Sequence, residues 1–278
     1  MILLADSGAT KTKWALVDQS HIVNSWIGPG LHPLFIQEND ILSALHELPI
    51  NPKNHPQEIY FYGAGCSSPD RTYLLQKSLQ DHFSGATIQI ESDLVGACKA
   101  LCGRQEGIAA ILGTGSNSAV WNGKSIARQQ ISLGYLLGDE GSGADLGKRL
   151  VTKMLHQEID QEIRDHFFEW FKTNPNELIT QIYRHPFPNR YLASFAPFLI
   201  QEPYQEYFQP LVKSALHDFM GKYLRLYPEA EKLPIHFTGS VAGKNEQLIR
   251  ELGTAWNLTI GQIQPDPMDG LILFHSKP

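Results

Sequence analysis

The chain has 278 residues, enough for one large domain or two medium ones, and 42% of them are hydrophobic, enough for a full core. Its 23 basic and 29 acidic side chains give a net charge of −6, which argues against nucleic acid as a main partner, because phosphate backbones attract a basic face. No apolar stretch approaches the roughly 20 residues that cross a bilayer, and Asp6 breaks the opening apolar run with no basic segment ahead of it, which argues against a secretion signal. The net charge still leaves room for a small anionic ligand, which needs only one or two local cations. Three cysteines, Cys66, Cys98 and Cys102, are too few and too odd in number for a disulfide framework, so a reducing cytoplasm is the expected setting. Cys98 and Cys102 stand four apart on an expected helix and read more simply as small core residues than as metal ligands.

The first 125 residues are rich in strand signals. Ile2–Ala5, Lys13–Val17 and His21–Ile27 read as a meander, with turn residues at Asp18-Gln19-Ser20. Helical spacing follows over Asn39–Leu48 and Asp70–Phe83. Glu58–Tyr62 and Thr87–Glu91 read as strands, the first ending in Gly63-Ala64-Gly65. A helix over Asp93–Leu101 starts at Ser92 or Asp93. Ile108–Leu112 and Ala119–Trp121 are two more strands around a glycine-rich turn. From about 140 to 232 the pattern is mostly helical, with a proline-rich break at His185–Asn189. Ile235–Phe237 is a late apolar strand that runs into a turn at Gly239-Ser240-Val241-Ala242.

Two stretches repeat one another. "ILLADSGATKTKWALVD" and "AAILGTGSNSAVWNG" begin about 107 positions apart, and each reads as strand, small-residue turn, strand. This is the mark of a duplicated unit. The first turn carries Asp6, Ser7, Gly8, Ala9, Thr10 and Lys11. It lacks the spacing of a P-loop, and a strand follows it where a P-loop has a helix. Its carboxylate suits Mg²⁺ held through water, and Thr10 and Lys11 suit phosphate; a solvated turn with a capping aspartate is the plainer alternative. In the second turn, Gly113-Thr114-Gly115-Ser116-Asn117, every side chain is absent or is a short hydrogen-bonding one. Backbone N–H groups there can approach an oxyanion unobstructed, although an ordinary hairpin turn has the same composition. Gly239-Ser240-Val241-Ala242 is a third backbone-exposing turn, suited to a base or ribose. Asp93 is either a helix N-cap or a carboxylate placed by a rigid element to accept a hydroxyl proton. Asp139 and Glu140, between Gly138 and Gly141, are either helix N-terminal charges or acids for sugar hydroxyls.

Taken in order, Asp6-x-Gly8-x-Thr10-Lys11-Thr12-Lys13, Gly113-Thr114-Gly115-Ser116-Asn117, Gly138-Asp139-Glu140-Gly141-Ser142 and Gly239-Ser240-Val241-Ala242 resemble the N-acetylglucosamine kinase group of the BadF/BadG/BcrA/BcrD ATPase family. The resemblance covers essentially the whole chain, including "FYGAGC" at 61–66 and "PNRYLASFAPF" at 188–198. It implies a duplicated, actin-like (ribonuclease H-like, hexokinase-like) α/β fold of two domains flanking a nucleotide cleft. The expected domains are 1–105 plus a final helix over 266–278, and 106–265. It also implies ATP and Mg²⁺, an amino sugar as acceptor with its 6-OH as the reacting group, and a homodimer.

By motif, Asp6 is the metal-associated acid and Asp93 the catalytic base. Ser7 to Lys11 and Gly113 to Asn117 are phosphate loops, and Gly239 to Ala242 the nucleoside turn. His32, Gly134, Tyr135 and Asp139 join Asp93 at the sugar. One departure stands out. Relatives carry a sugar-contacting Asn in a G-x-N-P context where this chain has Gly30-Leu31-His32-Pro33, which leaves N-acetylglucosamine, N-acetylmuramic acid and glucosamine all open. The competing expectation is an ATP-driven activator of a 2-hydroxyacyl-CoA dehydratase, which shares the fold but needs cluster-binding cysteines. A sensor without turnover is a third.

Overall fold

The structure is a computed structural model that describes residues 1–33, 35–50, 55–201 and 203–276. Positions 277 and 278, in the expected final helix, lie outside the described residues. The chain runs β1 (Ile2–Ser7), β2 (Lys11–Asp18), β3 (His21–Pro29), α1 (Glu38–His46), β4 (Glu58–Gly63), α2 (Pro69–His82), β5 (Thr87–Ser92) and α3 (Asp93–Cys102). There follow β6 (Glu106–Leu112), β7 (Ser116–Asn122), β8 (Ile126–Gln129), α4 (Gly134–Leu137), α5 (Gly143–Leu155), α6 (Gln161–Trp170), α7 (Pro175–Arg184), α8 (Pro188–Ala193), α9 (Ala196–Ile200) and α10 (Gln205–Lys222). The chain ends with β9 (Ile235–Thr238), α11 (Ser240–Lys244), α12 (Glu246–Ala255), β10 (Ile260–Gln264) and α13 (Met268–Ser276). No helix among the described residues is long and apolar enough to cross a membrane.

Two five-stranded sheets carry the fold, in the orders β3-β2-β1-β4-β5 and β8-β7-β6-β9-β10. The second order is the first repeated with the strands of the second half, so the repeated strand–turn–strand units are the central hairpins of equivalent sheets. By contact the chain divides into two compact units. One is Met1–Ala110 with Ala119–Gln129 and Asp266–Pro278; the other is Ile111–Ser118 with Gln130–Pro265.

In the first unit β1 lies antiparallel to β2 and parallel to β4, and β4 is parallel to β5. A parallel strand covered by helices on both faces is apolar throughout, and Leu3, Leu4 and Ala5 are all fully buried. Their alternation assigns the faces. Leu3, Ala5, Trp14 and Leu16 pack with Ile41 and Leu45 of α1 and Leu75 and Leu79 of α2. Leu4, Ala15, Val17 and Tyr62 pack with Met268, Leu271 and Ile272 of α13. Asp6 and Lys13, two residues on from Leu4 and two before Ala15, share this second face.

In the second unit, helices α5 to α10 surround an aromatic core that includes Phe167, Phe195 and Phe198, with Phe167 and Phe198 edge to face at 5.3 Å between ring centroids and the half-buried Phe171 ring against Phe195.

Several local expectations need correction. The turn expected over Gly239-Ser240-Val241-Ala242 is a single residue, Gly239, with φ at 115°; Ser240 already begins α11, and Val241 and Ala242 are buried. Small residues with alternating polarity carry no periodicity that separates a turn from one helical turn. The hairpin turns are also shorter than expected, since Lys11 already belongs to β2 and Ser116 and Asn117 to β7. The proline-rich break ends at Phe187, because Pro188 occupies the first turn of α8, where its missing N–H costs nothing.

Candidate active site

In the first unit, β1, β4 and β5 run parallel and in register, so Ser7, Gly63 and Ser92 sit side by side at their carboxyl ends. That edge is where open α/β sheets gather ligand-binding residues. Asp6 stands there at the end of β1. Asp93 opens α3; Ser92 is the N-cap, its Oγ accepting from the Val95 N–H at 3.3 Å, so the Asp93 carboxylate is not needed as the cap. One of its oxygens accepts from the Leu94 N–H at 2.9 Å. Burial pushes the Asp6 carboxyl up to about 7, the charges of Asp93 and Asp266 add to the rise, and Lys13 and Lys11 pull against it. The same Asp93 charge reaches the buried Cys66 thiol, so Asp6, Cys66 and Asp93 share one electrostatic neighbourhood.

The loop beside Asp6 is braced from within. The Ser7 hydroxyl lies 2.8 Å from that of Thr12, and it accepts from the Leu31 N–H at 3.0 Å. Thr12 donates to the Pro29 carbonyl at 2.7 Å. Both residues are fully buried, so the Ser7 side chain positions the turn from inside. Gly8 N–H closes the turn on the Lys11 carbonyl at 3.0 Å. Thr10 and Lys11 are exposed at its tip, and Gly8 and Ala9 are half-buried. The turn lies tight against Gly30, where a Cβ would come within 2.6 Å of the Ala9 carbonyl oxygen.

His32 lies over Gly65, which has φ at +80° and where a Cβ would meet the imidazole at 2.5 Å. The Phe35 ring sits 4.8 Å from it between centroids. The imidazole therefore stands beside Gly65 in the loop that follows β4.

The second unit gathers the other candidates. Gly113 N–H bonds the Gly115 carbonyl at 3.0 Å, closing the turn between β6 and β7. The carbonyls of Gly113 and Thr114 accept from Gly143 and Ala144 at the start of α5, at 2.8 and 3.0 Å. Asn117 Oδ1 accepts from the Ser118 N–H. Asp139, buried and with φ at 57°, directs its carboxylate at this turn: Oδ1 accepts from the Ser116 N–H at 3.3 Å, and a Cβ at Gly115 would lie 3.0 Å from Oδ2. Burial raises the Asp139 carboxyl above the ordinary carboxylate range, and the Ser116 N–H opposes the rise.

Glu140 is committed elsewhere. It accepts from Lys222 at 2.6 Å and Tyr223 at 2.7 Å, and these bonds outweigh its burial and hold it below its usual value. Neither acid is a helix N-terminal charge, because Ser142 caps α5 and Asp145 is the acid of its first turn. Gly239 lies against the same turn, with a Cβ position 2.3 Å from the Leu112 carbonyl oxygen. Gly134 and Tyr135 form the start of α4, both half-buried, with Lys148 reaching the Tyr135 carbonyl at 3.4 Å.

Among the described residues, the hydroxyls of Ser116 and Thr238 are buried with no hydrogen-bond partner. Leaving such a group unpaired costs about 1–3 kcal/mol, so two orphan donors beside one glycine turn fit an acceptor-rich ligand. Among the described residues no three His, Cys, Asp or Glu side chains converge closely enough to hold a metal by themselves. The oxygen donor of Asp6 suits Mg²⁺, which keeps waters and phosphate oxygens and takes only one or two carboxylates. Sequence reasoning missed the ion pair of Lys13 with Asp266, which spans 253 positions; no local pattern announces it.

This architecture of two equivalent sheets, each with a small-residue hairpin turn, defines an actin-like, hexokinase-like ATPase fold. A crystal structure from Porphyromonas gingivalis named a "putative N-acetylglucosamine kinase" superposes with a TM-score of 0.93 and 36% identity over 99% of each chain. The chain therefore belongs to the N-acetylglucosamine kinase-like family. A protein of the same name from Chromobacterium violaceum shares the fold at TM-score 0.70 and 19% identity over 98% of each chain. So does a ROK family glucokinase from Streptomyces griseus, solved with glucose and AMPPNP, at 0.57 and 14% over 98% of this chain and 97% of that one. No protein-family model matches the chain, and no curated protein does.

Proposed function

We propose that this chain is an ATP-dependent kinase that phosphorylates an amino sugar, N-acetylglucosamine or a close relative such as N-acetylmuramic acid or glucosamine, at its 6-OH. The observation that carries the proposal is the placement of Asp6 and Asp93 at the carboxyl ends of parallel strands in one unit, in a chain 36% identical to the Porphyromonas gingivalis protein. In this reading Asp93 is the base. Asp6 is the acid on the metal side, and Mg²⁺, when bound with the nucleotide, neutralises phosphate charge. Thr10, Lys11 and the backbone around Gly8 and Ala9 hold phosphate oxygens, as do the Gly113–Asn117 turn and the unpartnered Ser116 hydroxyl. Gly239 and the start of α11 face the nucleoside. His32, Gly134, Tyr135 and Asp139 complete the sugar site; Glu140, tied to Lys222 and Tyr223, does not.

Phosphoryl transfer asks the protein mainly for position and charge. The sugar hydroxyl must lose its proton as it attacks, and Asp93, fixed on the first turn of α3 by the Ser92 cap, accepts it. His32 stands where the resemblance implies an Asn, and in this reading it tunes the ranking among amino sugars. The dehydratase-activator alternative is disfavoured: Cys66, Cys98 and Cys102 are free and buried, with thiols pushed up by burial, so none is presented for a cluster shared between subunits. A homodimer, with twice the chain's mass by light scattering, and a cytoplasmic setting belong to the same reading.

The deciding experiment is a phosphotransfer panel with ATP over N-acetylglucosamine, N-acetylmuramic acid, glucosamine and glucose, with the product's phosphate position read by NMR. Transfer to the 6-OH of at least one amino sugar, at a kcat/KM well above that for glucose, is expected. Preference for glucose, or no transfer to any sugar, overturns the proposal.

A further inference from the structure

Asp6 and Lys13 stand directly opposite one another in the antiparallel β1–β2 pair. Opposed residues of such a pair carry their side chains on one face, with Cβ atoms about 5 Å apart. A lysine on a flexible stem placed there has the Asp6 carboxylate within reach, and its charge is felt at Asp6. Yet among the described residues no ion pair joins them. The Lys13 ammonium lies instead 3.1 Å from each carboxylate oxygen of Asp266. Asp266 is itself fixed. Its Oδ1 accepts from the Met268 N–H at 3.0 Å at the start of α13, and prolines stand on both sides of it in Pro265-Asp266-Pro267.

We propose that Asp266 holds the Lys13 ammonium off Asp6, and so keeps the Asp6 carboxylate open to the divalent cation that accompanies the nucleotide. The inference rests on the reading of Asp6 as the metal-side acid. An ammonium and a divalent cation compete for one carboxylate, and the ammonium is tethered within reach. Asp266 supplies the alternative partner, with both its oxygens engaged, from the segment that leads into α13, a helix packed on the same sheet face. It is a positioning residue, since it acts through Lys13.

The test measures Mn²⁺ binding to the enzyme–ADP complex by electron paramagnetic resonance of free Mn²⁺, with Mg²⁺ half-saturation of phosphotransfer as a second readout. Asp266→Asn keeps the oxygen that caps Met268 and removes the charge, and it is expected to weaken Mn²⁺ binding about threefold to tenfold, the scale of a half-exposed ion pair. Lys13→Met alone is expected to change it by less than about twofold, because the ammonium is already sequestered. The double variant is expected to return to near wild type, a non-additivity that loss of negative field alone does not produce. If Asp266→Asn leaves Mn²⁺ binding unchanged, or if Lys13→Met strengthens it by the same factor in both backgrounds, the proposal is overturned. Asp6→Asn separates the two readings. If it binds Mn²⁺–ADP like wild type, the assignment of Asp6 fails; if it loses the ion while the other variants do nothing, only the role of Asp266 fails.

Discussion

An aliphatic hydroxyl is too weak an acid to ionise before attack, so the residue that accepts its proton controls kcat more than binding. Asp93→Asn preserves shape and the acceptor for the Leu94 N–H while removing proton affinity, and Ser92, which caps α3, is untouched. It is expected to lower kcat by about 10²-fold or more with KM for the sugar changed much less, as steady-state kinetics on the preferred sugar will measure. A near-native kcat would move the base elsewhere. Asp139 is then a poor substitute, because its carboxylate is turned onto the Gly115–Ser116 backbone. At this scale the motif residues were readable because their chemistry is local: an acid at a strand end, small residues in a turn. The division of labour between Asp139 and Glu140 was not readable. It depends on Lys222 and Tyr223, more than 80 residues away along the chain.

α13 closes the first unit by packing Met268, Leu271 and Ile272 against β1 and β2, and Gly270 lets it approach α3 so closely that a Cβ would lie 2.4 Å from the Ala100 carbonyl oxygen. Near its end, His275 Nε2 lies 2.8 Å from the Tyr62 hydroxyl, and the imidazole ring lies tilted against Tyr60 at 3.8 Å between centroids. Burial, with help from the nearby Lys99 charge, lowers the His275 pKa to about 4. The unfolded value is near 6.5. Between those two values the unfolded chain binds more protons than the folded one, so stability rises with pH and is lost as pH falls from about 6.5 toward 4. With allowance for the partly exposed ring, this helix should account for about 1–2 kcal/mol of that loss. Urea unfolding at pH 4.5 and 7.5 measures it: His275→Gln should lose less stability on acidification than wild type by about that amount. Equal losses would show that the imidazole does not titrate there.

For the whole chain, a ligand that binds the folded state alone stabilises it in proportion to the logarithm of its concentration over Kd, about 2.7 kcal/mol at a hundredfold excess. An unreactive ATP analogue with Mg²⁺ should therefore raise the unfolding midpoint, and so should the preferred amino sugar. A sugar analogue lacking the 6-OH should bind and stabilise without accepting phosphate, which separates binding from turnover in one calorimetric series. If neither nucleotide nor sugar shifts the midpoint at millimolar concentration, the proposed function fails at the level of binding, whatever the individual side chains do.

The duplicated architecture was legible in the sequence because both halves spell out strand, small-residue turn and strand. Strand alternation and helix periodicity are short-range properties of the chain, and so is the preference of Ser92 for an N-cap. The same locality made Asp6, Asp93 and the two glycine turns visible as candidates before their surroundings were known. Tertiary structure alone decided what lies next to them. It buried Ser7 against Thr12 and Leu31, folded Ser240-Val241-Ala242 into a helix against the core, set His32 over Gly65, and drew Lys13 across to Asp266. Those outcomes depend on which distant segments share a sheet face or a helix contact, and side-chain partners fixed by packing across 253 positions leave no periodicity in the chain that a local reading can detect.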